Sequence, residues 1–463
     1  MASAIVTASS RRSAYANTQF GSLSNDLLVE IIDLLPIADI SSLCMVCRSL
    51  CALLLERVVW HRHLSRLIQR RRLYISHSHV SRMSTEGIKA EIQRQARLDL
   101  RWQHGKALPG SMRYTTISGW PLGLSMIPGG RYLLTAMRNL SVLLWDLEAD
   151  LDEPEVLIPR GGLLHKTLVT YEADSWATRE QLRFILQTAD GMVDFWSLDI
   201  SGASETRCTH MGAVQLRAMA QYTRLRGDIF SGYLADTGCV IFFNWKSLVM
   251  GSESVKYSSL HLPRECRDVC QLSTGQVLVV DSQGVALYPP PPCYNVTNIL
   301  EAKYDTTVTP TWYLKQEMLD CKYRIVPSPQ LGSIASIISE KSLVDLILIE
   351  DGSMAASTTI FDAPDVLDTF VGGCRVATAR AADGVTDAWY LRCYSISGCG
   401  PSLSPPGSRM IAHPEVQLPY PGGIITHRRP GALRFRLDEL SGRAVTFVRA
   451  NGGKSHFLVF DFV

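Results

Sequence analysis

The sequence predicts an α + β multidomain chain, in which a small all-α part is followed by a long all-β part. Near the N-terminus, apolar residues recur at the spacing of helices. From residue 108 onward, alternating strand patterns and turn residues repeat, with aromatic residues 43 to 51 positions apart. Repeats of this length are typical of arrays of small structural units. The 463 residues are enough for two or three domains.

The first predicted helix begins after Ser24, a residue type that caps helix N-termini. Asp26 stands in the first turn, where the helix dipole favours a negative charge. Pro36 ends the helix, because proline disrupts a helix interior. Five apolar residues form one continuous stripe along this helix: Leu27, Leu28, Ile31, Ile32 and Leu35.

A second helix is predicted to begin at Asp39, which can cap it. One side of this helix carries Ile40, Leu43, Cys44, Cys47 and Leu50. The apolar pattern then continues through Leu53, Leu54 and Val58 to Trp60. A unit of two short helices buries little surface of its own. Its apolar face therefore either docks in the groove of a partner or packs on the rest of this chain.

Residues 21–64 resemble the F-box, a small helical domain. Its consensus has Leu-Pro, a hydrophobic helix, a second Leu-Pro, Asp-Leu and Val-Cys-Arg before a Trp. The matching positions, in order and spacing, are Leu23, Leu27, Leu28, Ile31, Leu35, Pro36, Asp39, Ile40, Leu43, Val46, Cys47, Arg48 and Trp60. Three positions depart from the family pattern, because Ser24 replaces Pro, Asp26 replaces Glu, and Leu50 stands where Phe or Trp is common. The resemblance covers about a tenth of the chain.

Three cysteines in this segment raise the question of a metal site. Cys44, Cys47 and Cys51 lie along one face of a helix, and Cys-x-x-Cys spacing occurs in zinc sites. No second Cys or His pair follows at finger spacing, and the nearby histidines complete no recognised pattern. We therefore expect no metal and no cofactor. Cys47 is better explained as the F-box cysteine, a small buried apolar residue.

A basic helical linker is predicted over residues 65–107. Between Arg57 and Lys106 there are twelve Lys or Arg residues and three acidic residues, a net charge of +9, whereas the whole chain carries +2. A charge run of this kind usually marks a solvated helix face. RNA or anionic-lipid binding is the alternative, but interleaved aromatic residues and a known motif are missing. We interpret the segment as a rigid spacer, and we expect neither nucleic acid nor a membrane as a partner.

The first 20 residues are predicted to be a disordered tail. They are rich in Ser and Ala and carry Arg11 and Arg12 without acidic residues, so a mitochondrial presequence is the alternative. The chain has twelve cysteines without framework spacing, no secretory signal pattern, and no apolar run near the ~20 residues that span a bilayer. We therefore expect a cytoplasmic or nuclear protein with free thiols.

The repeats pair a strand with a second strand that ends in an aromatic residue. The four clearest copies are residues 129–146, 183–196, 228–245 and 276–288, and further hairpins are expected at 333–350, 375–395 and 440–462. Asp190-Gly191 and Asp236-Thr-Gly238 supply residues that tolerate the positive φ of tight hairpins. The first copy, which ends in Trp145-Asp146, resembles a WD repeat, although no Gly-His dipeptide is present.

These repeats predict a WD-repeat-like β-propeller over residues 108–463. At roughly 45–50 residues per blade, about seven blades are expected. Residues 112–117 are expected to complete the last blade beside the C-terminal strand at residues 457–463. The four prolines at 289–292 are interpreted as an extended connector between blades. The proline-rich stretch 401–430 is either a recognition loop on one rim or an insertion without function.

No motif for chemistry stands out. The sequence lacks a nucleophile elbow, a His-Glu-x-x-His metal motif, a dinucleotide fingerprint and a kinase signature set. Gly452-Gly-Lys-Ser455 matches the end of the phosphate-binding loop motif, but Val448 stands at the position of the motif's first glycine. We expect a protein that is not an enzyme, and a propeller enzyme assembled from distant loops is the alternative.

An F-box followed by a propeller resembles the fungal-type substrate receptors of SCF (Skp–cullin–F-box) ubiquitin ligases. The resemblance implies that the F-box docks on a Skp-type linker protein, and through it on a cullin, while the propeller holds a protein substrate. The implied contacts with the linker protein are Leu27, Leu28, Ile31, Leu35, Pro36, Ile40, Leu43, Val46 and Leu50. Some of these must form the core of the small domain, and the sequence does not divide them.

Two matters stay open at this point. A scaffold that uses its F-box outside any ligase has the same sequence features, and cullin association distinguishes it from a receptor. The sequence does not identify the substrate. Phosphate-reading propeller receptors resemble one another in carrying arginines on one rim, and Arg138, Arg183 and Arg380 are candidates here.

Overall fold

Among the residues that the computed structural model describes, six helices precede the first strand. The described residues are 23–35, 37–71, 77–103, 110–119, 121–127, 129–137, 141–159, 168–171, 181–188, 190–199, 207–252, 254–272, 274–301, 307–315, 324–327, 333–338, 342–348, 354–360, 366–371, 375–381, 389–397, 409–412, 416–418, 434–438, 441–449 and 454–462. The helices are α1 (Asn25–Leu34), α2 (Ile37–Leu43), α3 (Arg48–Leu55), α4 (Arg57–Arg71), α5 (His77–Arg82) and α6 (Thr85–Gln103).

The first helix agrees with its sequence prediction. The Ser24 hydroxyl accepts a hydrogen bond from the Leu27 backbone N–H at 3.4 Å, and Asp26 lies in the first turn. The helix ends at Leu34, and Leu35 is already extended. The predicted N-cap and first turn are therefore confirmed, while Pro36 lies outside the described residues.

The second predicted helix is in fact two helices. α2 ends at Leu43, and the N–H groups of Met45 and Val46 donate three residues back, to Ser42 and Leu43, at 3.0 and 3.1 Å. Cys47 is then extended, with φ −156° and ψ 162°, and serves as the N-cap of α3. The prediction of one helix carrying residues 40 to 50 was wrong, because a tight turn and an extended cap residue interrupt the i to i+4 pattern.

The helices have a hydrophobic core of their own. Contacts divide the chain into two units, and the first, here called the helical unit, holds the described residues up to Arg70 together with His77–Arg97. Fully buried side chains in it come from α1, α4 and α6: Ile32, Val59, Leu64, Ile88 and Ile92. The buried Trp60 donates its indole N–H to the Leu54 carbonyl at 2.6 Å. Each such apolar side chain contributes about 1.5–3 kcal/mol on burial.

The second unit, here called the strand unit, holds Arg71 and the described residues from Leu98 onward. Apart from the end of α6 and two short helical segments, it consists of antiparallel sheets. Its N-terminal strand is β1 (Ser111–Ser118). Sheet 1 contains β2 (Pro121–Met126), β3 (Tyr132–Met137), β4 (Val142–Asp146) and β5 (Glu155–Ile158). Sheet 2 contains β6 (Leu168–Tyr171), β7 (Gln181–Gln187), β8 (Met192–Asp199) and β9 (Arg207–Gln215). Sheet 3 begins with β10 (Ala220–Arg226), β11 (Ile229–Leu234), β12 (Cys239–Asn244) and, after the short helix α7 (Trp245–Val249), β13 (Val255–His261).

The later sheets repeat the same four-stranded plan. Sheet 4 contains β14 (Cys266–Gln271), β15 (Val277–Asp281), β16 (Gly284–Tyr288) and β18 (Trp312–Lys315), with β17 (Cys293–Val296) added to sheet 3. Sheet 5 contains β19 (Arg324–Pro327), β20 (Ser333–Ile338), β21 (Ser342–Leu348) and β22 (Met354–Ile360). Sheet 6 contains β23 (Val366–Val371), β24 (Arg375–Ala381), β25 (Trp389–Ser397), β26 (Arg409–Ala412) and β27 (Val416–Leu418). Sheet 7 contains β28 (Arg434–Asp438), β29 (Arg443–Arg449), β30 (Lys454–Asp461) and β1.

The seven sheets have the arrangement of the blades of a β-propeller, because six of the seven neighbouring pairs of first strands make contact in ring order. β2 contacts β6, β6 contacts β10, β10 contacts β14, and β14 contacts β19. On the other side, β23 contacts β28, and β28 contacts β2. The first strand of each blade is therefore the innermost one, as radial repetition requires. The predicted propeller of about seven blades is confirmed by this topology.

The ring is closed by the N-terminal strand, as the sequence predicts. β1 pairs with β30 along its whole length, from Ser111 opposite Asp461 to Ser118 opposite Lys454. Asp461 also accepts from the Ser111 hydroxyl at 3.1 Å and forms an ion pair with Arg443. This pairing gives β30 a partner on each side, so that β1 and not β30 is the outer edge strand of the blade.

The segment that follows β16 runs from the fourth blade to the third. The prolines at 289–292 follow β16 and lead to β17, which pairs with β13 as a fifth strand of sheet 3. The chain then returns to sheet 4 as β18. The predicted connector between blades is confirmed, since a run without N–H donors cannot join a ladder. Within the predicted loop 401–430, residues 409–412 and 416–418 are strands, and the others lie outside the described residues.

Residues 1–20, the predicted tail, lie outside the described residues. Within the described residues, no helix is both long and apolar enough to cross a lipid bilayer.

Candidate docking surface of the helical unit

Three of the nine predicted contact residues are buried in the helical unit. Leu28, Ile40 and Leu50 are 6%, 1% and 4% exposed. Such side chains contribute to the core of the helical unit and not to its surface. The structure thereby separates the nine predicted contacts into core residues and surface residues, which the sequence could not do. Pro36, another predicted contact, lies outside the described residues.

The other predicted contacts reach solvent. Leu27 and Val46 are exposed, and Ile31, Leu35 and Leu43 are half-buried. These five residues come from α1, from its C-cap, from the end of α2 and from the turn that follows it. We call the exposed apolar residues of the helical unit the docking surface.

Sequence reasoning missed four further members of the docking surface. Leu34, Met45, Leu55 and Val58 are exposed, and Met45 is the most exposed of them at 83%. All four belong to adjacent apolar pairs in the sequence, Leu34-Leu35, Met45-Val46, Leu54-Leu55 and Val58-Val59. On a helix, neighbouring residues point about 100° apart, so a pair of apolar neighbours usually cannot be buried entirely by one contact face. Adjacent apolar residues were therefore the sequence signal that could have predicted these exposed side chains.

The turn between α2 and α3 presents two of these side chains together. Met45 and Val46 are exposed by 83% and 68%, yet their backbone N–H groups are both hydrogen-bonded within the turn. A large apolar pair held on an ordered backbone loses little conformational entropy when a partner covers it. The turn is therefore suited to anchor a protein partner.

A buried carboxylate fastens α1 to α4. The Asp33 side chain is only 2% exposed and lies 3.3 Å from Arg66 Nη2, 3.7 Å from Arg62 Nη1 and 3.8 Å from His63 Nε2. Arg66 also donates to the Asp33 backbone carbonyl. Opposite charges at these distances offset part of the cost of burying the carboxylate. This cluster holds the helix that carries Leu27 and Leu34.

Basic residues of the positively charged segment between Arg57 and Lys106 also take part in packing within the helical unit. Arg57 donates to the backbone carbonyls of Val80 and Ser81 at 3.1 and 2.8 Å. The Lys89 ammonium lies 5.5 Å from the centre of the Trp60 ring, within the range of a cation–π interaction. Charge in this segment therefore fastens α4, α5 and the start of α6 to one another. The domain boundaries at residues 64 and 107 stay predictions.

The three cysteines are separated by the break between α2 and α3. Cys44 Sγ donates to Cys51 Sγ at 3.2 Å, and Cys47 Sγ lies 3.2 Å from the Ser49 hydroxyl. The prediction that Cys47 is buried was wrong, because this residue is the exposed N-cap of α3. Hydrogen bonds from Ser49 and from the Leu50 N–H lower the pKa of the Cys47 thiol. Among the described residues, no three Cys, His, Asp or Glu side chains converge as metal ligands.

Of the candidate rim arginines, only Arg183 has a described side chain. It forms an ion pair with Asp228 at 3.3 Å and lies 5.4 Å from the centre of the Trp245 ring. These contacts join sheets 2 and 3, so Arg183 serves the packing of two blades. Arg380 lies in β24 without a described side chain, and Arg138 lies outside the described residues.

The helical unit and the propeller were compared with known proteins. Residues 20–62 match the F-box domain model. The crystal structure of the mitotic checkpoint complex shares 12% identity over 77% of this chain and 92% of that chain, with a TM-score of 0.43. The WD40 domain of SCAP from fission yeast shares 11% identity over 78% of this chain and 96% of that chain, with a TM-score of 0.42. The C-terminal WD40 domain of Sif2 shares 12% identity over 74% of this chain and 81% of that chain, with a TM-score of 0.39.

No curated protein matches the chain. The F-box match covers α1, α2, α3 and the start of α4, which are the elements that carry the docking surface. The chain thus joins an F-box domain at residues 20–62 to a seven-bladed β-propeller.

Proposed function

We propose that this protein is the substrate-recognition subunit of an SCF-type ubiquitin ligase. The docking surface of its F-box binds a Skp-type linker protein and through it a cullin, and the propeller binds a protein substrate. The protein acts as a non-catalytic adaptor, whose contribution is to raise the effective concentration of the substrate near the transferring enzyme. Its place of action is the cytoplasm or the nucleus, and microscopy of the tagged full chain tests that location.

One observation carries the proposal. The segment that matches the F-box is also the segment of the helical unit that exposes large apolar side chains, six of them between Leu27 and Val58. Several large apolar side chains exposed on one small domain favour a site that binds another protein. Met45 and Val46, the two docking-surface residues of the turn between α2 and α3, are 83% and 68% exposed.

The linker protein tests this assignment directly. We expect the double variant Met45→Asp, Val46→Asp to bind a purified Skp-type linker protein about 30-fold more weakly than the wild type, because loss of a central anchor typically costs about 2 kcal/mol. Both positions are exposed, so the variant keeps its fold, which circular dichroism checks. Titration calorimetry with the full chain gives the affinity.

A matched control lies in the strand unit. Met250 is 75% exposed and follows α7, so Met250→Asp makes the substitution of Met45→Asp at a comparably exposed methionine, with one added negative charge instead of two. We expect its affinity for the linker protein to equal that of the wild type. If the Met45→Asp, Val46→Asp variant bound the linker protein as tightly as the wild type, this surface would not be part of the interface.

Cullin association distinguishes a ligase receptor from an F-box scaffold that acts outside a ligase. We expect cullin to copurify with the full chain when the linker protein is present, and to be lost with the Met45→Asp, Val46→Asp variant. Binding of the linker protein without cullin would favour the scaffold. Proximity labelling while protein degradation is blocked then identifies substrates of the propeller.

A further inference from the structure

A pair of thiols lies beside the docking surface. Cys44 follows the last turn of α2, Cys51 lies in the first turn of α3, and their sulfur atoms are 3.2 Å apart. Both side chains are partly exposed. The two backbones are fixed on either side, since Cys44 N–H donates to Ile40 and Cys51 N–H donates to Cys47. Sulfur atoms at this distance need to approach by about 1 Å to reach the bond length of a disulfide.

The third thiol of the segment is engaged elsewhere. Cys47 is exposed at the N-cap of α3, and its sulfur lies 3.2 Å from the Ser49 hydroxyl. The pair therefore consists of Cys44 and Cys51, although Cys47 lies between them in the sequence. The described residues also bring no three metal ligands together, so the short sulfur–sulfur distance is not part of a metal cluster.

We propose that Cys44 and Cys51 form a redox-modification site, in which hydrogen peroxide converts the two thiols into an intramolecular disulfide. Cys51 is written here as the first sulfur to attack, and the proton that it gives up joins the departing hydroxide, while Cys44 lies 3.2 Å away. This attack forms an S–O bond, breaks the O–O bond and releases one water. Cys44 then attacks the Cys51 sulfenic acid, the S–S bond forms, and the S–O bond breaks to release a second water. Two thiols lose two electrons, and one hydrogen peroxide becomes two waters.

The bond would close a ring of backbone around Met45 and Val46. A disulfide restricts the conformations of the segment it closes. On oxidation, we expect a changed affinity for the Skp-type linker protein in the wild type and an unchanged affinity in Cys44→Ser. This consequence rests on the proposed function, whereas formation of the bond does not.

Peptide mapping tests the bond itself. Trypsin cleaves after Arg48, which places Cys44 and Cys47 on one peptide and Cys51 on the next, Ser49–Arg57. The full-length protein is treated with hydrogen peroxide, its remaining thiols are blocked with N-ethylmaleimide, and the monomer is digested without reductant. We expect mass spectrometry to find the two peptides joined, and dithiothreitol to separate them.

Two serine variants identify the partner of Cys51. We expect the joined peptides to persist in Cys47→Ser and to disappear in Cys44→Ser, with circular dichroism unchanged in both. Joined peptides that are absent from the oxidised wild type, or that depend on Cys47 rather than Cys44, would overturn the proposal. These readouts need no linker protein, so a failure of the docking hypothesis and a failure of the thiol pair are distinguishable.

Discussion

Arg224 and Asp268 form an ion pair of 2.7 Å between the innermost strands of two adjacent blades. Arg224 belongs to β10 and Asp268 to β14, and their side chains are 17% and 7% exposed. The same carboxylate oxygen accepts from the Ile325 N–H at 2.6 Å, and Arg224 donates to the Ile325 carbonyl at 2.9 Å. One ion pair thus joins three successive blades at the centre of the propeller.

We predict that Arg224→Ala strongly destabilises the propeller. The substitution leaves the Asp268 carboxylate buried without its cation, a change that typically costs about 3–5 kcal/mol. Differential scanning calorimetry should show a clearly lower midpoint of unfolding.

The control for this prediction is a more exposed arginine that makes a similar contact. Arg267 is 37% exposed at its side chain and lies 3.6 Å from Glu265, which is 63% exposed. Solvent screens such a pair, so Arg267→Ala should cost only ~0–1 kcal/mol. Equal melting of the two alanine variants would show that the central ion pair does not join the blades energetically.

We predict that Asp33→Ala loosens α1. The substitution removes the buried carboxylate that lies 3.7 Å from Arg62 and 3.3 Å from Arg66, so α1 loses its ion pairs with α4. Hydrogen exchange of the α1 amides should become faster. Asp26→Ala is the control, because Asp26 is exposed in the first turn of the same helix and the dipole effect there is at most about 1 kcal/mol. Unchanged α1 exchange in Asp33→Ala would contradict the role given to this cluster.

The sequence predicted the propeller through one hairpin of each blade. All seven predicted hairpins correspond to second and third strands, for example β7 with β8 and β20 with β21. Several of these strand pairs are joined by turns with a glycine, such as Gly191 at φ +90°, and four of the third strands end at or next to an aromatic residue. Glycine turns also join first strands to second strands, as at Gly227 and Gly275, whereas fourth strands follow the third strands after longer connections. Their positions therefore follow from the closed ring rather than from local sequence.

The docking surface was predictable only in part, for a physical reason. Periodicity places Leu27 and Leu28 on one stripe, but Leu28 is 6% exposed and Leu27 49%. Which side of a wide stripe faces inward depends on elements that pack against it from distant positions, such as α4 with Arg62 and Arg66. The break at Cys47 was likewise unpredictable from periodicity, because its apolar pattern continues through the extended residue.

We predict that Phe457→Ala destabilises the closing blade. Phe457 is fully buried on β30, with its ring centre 4.7 Å from those of Trp145 and Phe447. Removing a buried aromatic ring leaves a cavity and typically costs about 3–5 kcal/mol. Calorimetry should show a lowered midpoint.

The neighbouring strand supplies the control for Phe457→Ala. Tyr114 lies on β1, the partner of β30, and is 57% exposed. Tyr114→Ala keeps the backbone ladder, and exposed substitutions usually change stability by no more than about 0.5 kcal/mol. A larger loss in Tyr114→Ala than in Phe457→Ala would mean that the side chain on β1, and not the aromatic core, holds the ring closed.

We predict that Cys47 reacts with iodoacetamide at a lower pH than an ordinary cysteine. The Ser49 side chain, followed by the Leu50 and Ser49 backbone N–H groups, stabilises the thiolate and holds the Cys47 pKa below its usual 9.0. A lowered pKa in the folded state means that the thiolate interaction is present at alkaline pH and is lost as the pH falls through that pKa. Rates of alkylation measured against pH should therefore show a midpoint below 9.0. Ser49→Ala should move this midpoint upward, because it removes the largest cause of the shift.

Cys208 is the internal reference, since burial raises its pKa to about 12 and it should stay unmodified at neutral pH. A Cys47 midpoint at or above 9.0, or one that Ser49→Ala leaves in place, would contradict the hydrogen bonding described at the N-cap of α3.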